Sequence, residues 1–257
     1  MKSDNIMEKE FAIYAFIKAV KKQYFDSFIN DGQICMNTAK WFREYEETDD
    51  NVGDAGEGAI ASWGSGFTVS VGDPIEEYTL EERIKETRDE SNRVDFGPSS
   101  NFMLFNGEDA NILSLYAITT LNSNVKEHKH FVPEKFIDEF SDHRFVLIFN
   151  PCEFVDRIRK RLNILNKSLE EKMVKYYPVD DKMRGNLDFF CKQKRYSYQN
   201  EYRLKFNDEN PKMQIIDVGA LNDVCFEIDL NNHIYNMVFT TTKLTLMRSG
   251  NVTLKKK

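Results

Sequence analysis

Apolar positions along this chain come in short runs that change period, and the changes predict alternating strands and helices. Residues 11–16, Phe-Ala-Ile-Tyr-Ala-Phe, read as a strand. Val20, Tyr24, Phe25 and Phe28 then recur at helical spacing, which predicts a short helix over 20–30. Asp31-Gly32 ends it, glycine supplying a left-handed cap. A second strand over 33–37 and a helix over 38–46 follow, with Asn37 or Thr38 as the cap. Residues 47–66 are acidic and then glycine-rich (Gly53, Gly56, Gly58, Gly64, Gly66) and read as a loop. Strand character returns at 67–71, and the charged stretch 78–93 suggests an exposed helix.

The second half holds the strongest strand signals. Segments 101–106 and 112–119 are candidates, and Phe145-Val146-Leu147-Ile148-Phe149 is a continuous apolar run stopped by Asn150-Pro151. Pro151 suits the first turn of a helix over 151–166. Further strands are expected over 172–178, 196–206, 213–217, 224–228 and 237–246, with a short apolar segment at 188–192. No repeat or long linker interrupts the pattern. The expectation is one α+β domain over 1–257, with a central mixed, largely antiparallel sheet, peripheral helices and a solvated tail at 251–257.

Composition narrows the function classes. A net charge of −7 argues against broad electrostatic binding of nucleic acid. Cys35, Cys152, Cys191 and Cys225 show no CxxC spacing, so reduced thiols are expected rather than disulfides or zinc ligands. His128 and His130 lack accompanying ligands, and no metal site is expected. No apolar run is long enough to span a membrane, and the start of the chain lacks a targeting pattern; a cytoplasmic protein is expected.

One segment looks like an active site: Arg195-Tyr196-Ser197-Tyr198-Gln199-Asn200-Glu201-Tyr202-Arg203-Leu204. On a strand, Gln199 and Glu201 would share a face with Cα atoms about 7 Å apart. Such a carboxylate and amide can bind a ribose hydroxyl and steer a nucleophile. The plainer alternative is a surface carboxylate paired with Arg203. Arg43 could fork onto a pyrophosphate or form a helix ion pair with Glu46 or Glu47. Ser114 and Tyr116 share a strand face; Tyr116 either stacks on a ligand or packs in the core. The glycine-rich loop is either a lid or a plain exposed loop.

The strand–helix–strand–helix opening, with its Phe-Ile-Asn-Asp-Gly helix end, and the Gln199-Asn200-Glu201 tripeptide together resemble the ADP-ribosyltransferase fold. The likeness is to the Q-x-E type, among relatives of DNA-modifying DarT toxins and poly-ADP-ribose polymerases. It implies NAD as substrate, with Glu201 on the nicotinamide-ribose 2′-hydroxyl and Gln199 positioning the acceptor. It implies that Arg43, Ser114, Tyr116 and Tyr198 contact NAD, Ser114 in the place of the central serine. The first strand carries no arginine or histidine; Lys18 and Lys21 are its nearest cations. The segments Gly32–Asn37, Trp41–Glu46, Gly53–Gly58 and Lys192–Arg203 also resemble an uncharacterised bacterial and phage family found among defence genes. The implied role is a toxin or phage–host conflict factor. Its acceptor would be a nucleic-acid base or a protein side chain, and its partner an antitoxin. The alternative is a non-catalytic nucleotide- or protein-binding module on a degenerate version of the fold.

Overall fold

A computed structural model describes residues 12–45, 54–63, 68–70, 93–95, 102–120, 123–124, 129–130, 132–178, 184–230 and 237–238. The helix expected at 78–93, most of the strand at 237–246, part of the 47–66 loop and the 251–257 tail lie outside these residues. Eight strands build the main sheet: β1 (Ile13–Lys21), β2 (Gln33–Thr38), β3 (Asn111–Thr119), β4 (His143–Ile148), β5 (Glu170–Met173), β6 (Glu201–Phe206), β7 (Gln214–Asp217) and β8 (Cys225–Ile228). Their order is β5-β6-β3-β1-β4-β8, and β2 joins β3 to β7. Every pairing in this sheet is antiparallel. The parallel pairing is off the sheet, between Lys175–Tyr177 and Cys191–Gln193. The architecture is α+β.

Both faces of the sheet are covered. On one face, helix α3 (Pro151–Ile164) buries Phe154, Val155, Ile158 and Leu162 against Phe16, Leu113, Leu115, Leu204 and Phe206. Asn150 caps this helix by accepting from the Glu153 N–H at 3.2 Å, and Pro151 occupies the first turn. On the other face, α2 (Glu134–Glu139) packs Phe136 and Ile137 on Tyr14, Ile17, Tyr116, Ile118, Phe145 and Leu147. The sequence pattern did not predict α2, whose six residues span too few turns to establish a helical period.

Other local expectations are met or shifted. Thr38 Oγ1 accepts from the Trp41 N–H at 3.1 Å, capping α1 (Ala39–Tyr45). The first strand runs on to Lys21, well past residue 16, because β3 and β4 claim its two edges. The expected 20–30 helix is therefore reduced to a 3₁₀ turn at Lys22–Tyr24 and a wide turn at Ser27–Asp31. Gly32 ends that turn with φ of 68°. A Cβ there would lie 1.9 Å from the Gly219 carbonyl oxygen. The expected 172–178 strand is two, β5 and Lys175–Tyr177. None of the four cysteines forms a disulfide. Among the described residues no helix is long and apolar enough to cross a membrane.

The Gly32 contact yields a first prediction. Left-handed backbone costs alanine about 1–2 kcal/mol. Gly107 also has positive φ (81°) but has no neighbour within 4 Å of a built Cβ. In urea unfolding, Gly32→Ala should therefore destabilise the protein distinctly more than Gly107→Ala. Equal effects would contradict the packed Gly32–Gly219 approach.

Candidate functional site

The site begins with a split in the sheet. Along one edge of β3, residues Tyr116–Thr119 pair with β1, while Asn111 and Ile112 pair with β2. Residues 113–115 lie between the two and pair with neither strand on that edge. β1 and β2 diverge around this gap, and a cavity of about 460 Å³ opens there. That volume lies in the range of small-molecule sites. The Lys18 Nζ enters the gap and donates to the Ser114 carbonyl at 3.2 Å.

Strand β6 crosses on the far side of β3, and its alternation sorts its side chains. Tyr202, Leu204 and Phe206 enter the α3-side core. Glu201, Arg203 and Lys205 face the other way and are buried. Arg203 stands opposite Ser114, and Glu201 opposite Tyr116. The Ser114 hydroxyl donates to Glu201 Oε1, which also accepts from Arg203 Nε at 2.7 Å. Lys192 Nζ reaches Glu201 Oε2 at 3.4 Å and Gln199 Oε1 at 2.9 Å.

Arg203 is 1 % exposed, and every N–H direction of its guanidinium that the fold uses meets an oxygen. Its Nη1 and Nη2 fork onto Glu57 at 2.6 and 3.0 Å, and Nη1 also donates to the Phe189 carbonyl. Glu57 arrives on a turn at residues 54–58. That turn is held by the Asp54 N–H on the Phe42 carbonyl (3.0 Å) and the Arg43 guanidinium on the Glu57 carbonyl (2.7 Å). Asp54 and Glu57 are each 2 % exposed. This part of the 47–66 region is thus neither a lid over water nor a plain exposed loop, since its carboxylates are spent inside the protein.

The expected site residues divide. Glu201, Gln199, Ser114 and Tyr116 all line the cavity. Arg43 and Tyr198 do not. Arg43 stacks on the Phe105 ring at 4.9 Å while holding the Glu57 carbonyl. Tyr198 donates its hydroxyl to Glu139 at 2.7 Å, under the Lys135 ammonium. The strand expected over 196–206 is a correction as well. Lys194–Gln199 is a 3₁₀ turn, and Asn200 with φ of 35° joins it to β6. Gln199 and Glu201 are therefore not strand neighbours sharing a face; the Lys192 ammonium brings them together. Asn200 fixes the junction through its amide on the Ala117 carbonyl, and the Glu201 N–H donates to the Tyr176 hydroxyl at 2.9 Å. Sequence reasoning missed Lys192, Glu57 and Tyr176. Glu57 left a trace in the acidic Gly-rich segment and Lys192 in the Lys192–Arg203 motif, neither of which reveals the partner, and Tyr176 left none.

The charges follow from this packing. Burial alone would raise the Glu201 pKa, but the Arg203 and Lys192 cations and the Arg203 and Ser114 hydrogen bonds outweigh it and hold the value down to about 2. Glu201 is thus ionised across the physiological range. Burial pushes Glu57 up to about 7 against the pull of Arg203, with Asp54 and Glu201 adding repulsion. Burial pushes the Arg203 value down, but Glu201 and Glu57 more than reverse this and keep it charged. Among the described residues, no group of three or more His, Cys, Asp or Glu could hold a metal ion. The arrangement presents a buried, fixed carboxylate to a cavity, which is how a protein stabilises positive charge forming on a ligand. Comparisons with protein-family models, with curated proteins and with solved structures returned no match.

Two predictions concern this network. Arg203→Met leaves Glu201 and Glu57 buried without their shared cation and should cost about 3–5 kcal/mol in chemical unfolding. A loss below about 1 kcal/mol would contradict the buried pairing. Glu57 gives a pH signature. Its folded value of about 7 lies above its ordinary 4.5, so its contribution is greatest below 4.5 and falls as pH rises to about 7. Glu57→Gln should flatten the stability profile between those values. Parallel profiles for the two proteins would rule this out.

Proposed function

We propose that this protein is an NAD-dependent ADP-ribosyltransferase-like enzyme, working in the cytoplasm as a toxin or phage–host conflict factor. The observation that carries the reading is an ionised, buried Glu201, fixed by Ser114, Arg203 and Lys192 at the wall of a cavity opened by the sheet split. Breaking the bond between ribose and nicotinamide leaves electron deficiency on the ribose, and the bonding pair departs with the neutral ring. A carboxylate that stays charged in a low-dielectric wall lowers the energy of that state without needing a proton. Tyr116 and Phe136, in tilted contact at 4.8 Å, give the cavity aromatic walls suited to a planar ring. Gln199, which accepts from Lys192 at the same cavity, would be the residue that meets an acceptor. The acceptor is a nucleic-acid base or a protein side chain, and an antitoxin would be the natural protein partner.

One observation favours a second reading. Both oxygens of Glu201 already accept hydrogen bonds from the protein. A non-catalytic module that binds a nucleotide or a protein in this cavity would use the same network simply as a rigid wall.

The test is nicotinamide release from NAD by the purified protein. We expect release, with or without an added acceptor, and a fall of at least about 100-fold in Glu201→Gln, the scale seen when a fixed electrostatic stabiliser is removed. No release from wild type while NAD still binds would select the binding module. Equal release by wild type and variant would remove Glu201 from the chemistry.

A further inference from the structure

Lys18 lines the cavity together with Lys21 and makes no hydrogen bond to Glu201. It stands on β1, opposite Val146 of β4, where β1 leaves β3. Its Nζ donates to the Ser114 carbonyl at 3.2 Å, an oxygen that a neighbouring strand would otherwise claim. Ile17, Val20, Ile34, Leu113 and Leu115 also line this cavity and are buried. No carboxylate lies within ion-pair distance of Lys18 among the described residues. The side chain is partly exposed and lines the cavity, so a ligand entering there meets it. Beyond it the mouth is rimmed by exposed apolar side chains, Tyr24, Met213 and Ile215.

We infer that Lys18 is a carbonyl-capturing amine, which binds small aldehydes or ketones with an aromatic or apolar body as a reversible imine inside the split. A lysine with an apolar wall and one neutral acceptor gains little from its charge, and a neutral amine is the nucleophilic form. Burial pulls its pKa below the ordinary lysine value, opposed by Cys35 facing it from β2 and by Glu201 from β6. Lys21 on the same strand and His143 from β4 are the other titratable groups nearby, and His143 is itself held low by burial despite its partner Asp142. The step balances without a further reactant. The Nζ lone pair adds to the carbonyl carbon, and the carbonyl oxygen takes up the two protons that the nitrogen loses. Water leaves as the C=N bond forms, and hydrolysis reverses it. The inference does not rest on NAD chemistry: Lys18 meets the Ser114 carbonyl while the Glu201 network uses the Ser114 hydroxyl, two different atoms of one residue.

The test uses pyridine-4-carbaldehyde as the probe on the full chain, with cyanoborohydride to trap the imine and peptide mapping to locate it. At pH 8, Lys18 should be labelled several-fold faster than the exposed Lys40, which lies outside the cavity, because a lowered pKa leaves more of the amine neutral. The pH midpoint of Lys18 labelling should also lie below the ordinary lysine value. Lys18→Arg keeps a donor for the Ser114 carbonyl yet cannot form an imine, and should lose this fast adduct. Adducts spread over the surface lysines with Lys18 unmodified would overturn the inference. So would a labelling midpoint for Lys18 at the ordinary lysine value, a result read on the wild-type protein whether or not the variant folds.

Discussion

The Arg203 guanidinium, wholly buried between Glu57 and Glu201, is the interaction on which the rest of the site depends. Removing such a charge from water is expensive, and only close, well-directed partners offset it. Here the offset comes from three parts of the chain: β6 itself, the turn at 54–58 and the Phe189 carbonyl. The consequence is mutual constraint. Glu201 is held ionised because Arg203 cannot move away, and Arg203 cannot move because Glu57 grips its other side. A carboxylate fixed this way costs no reorganisation when a positive charge forms beside it.

The cavity has a different origin, in strand pairing. An antiparallel strand offers two edges, and β3 gives one of them, from Asn111 to Tyr116, to β6. The other is shared between β1 and β2, which approach from opposite ends and cannot both continue. The residues left over, 113–115, form the floor of a hollow with strand backbones as its sides. Lys18 answers the Ser114 carbonyl there in place of a strand N–H, as a buried backbone oxygen needs a donor. Ser114 therefore works in two directions at one position, its carbonyl towards Lys18 and its hydroxyl towards Glu201.

Local chemistry was readable where the cause was local. The apolar run at 145–148, the Asn150-Pro151 helix start, the Thr38 cap and the Gly32 stop each act through neighbours within a few residues, and each stands in the structure where the pattern put it. The segment 194–199 was misjudged for a related reason. Its tyrosines favour strands, but their hydroxyls and rings are used by Glu139, Lys192 and Lys135 instead. Those contacts and the left-handed Asn200 override propensity.

By itself, the chain's order of residues determined the α+β class, most strand positions and the presence of Glu201, Gln199, Ser114 and Tyr116, because period and propensity are short-range properties. Only the tertiary structure decided that these four share a cavity while Arg43 and Tyr198 stand outside it. It alone paired Glu57 with Arg203, 146 residues away. Such a contact leaves no mark in local pattern: the energy that forms it is gained only after both groups have been removed from water together.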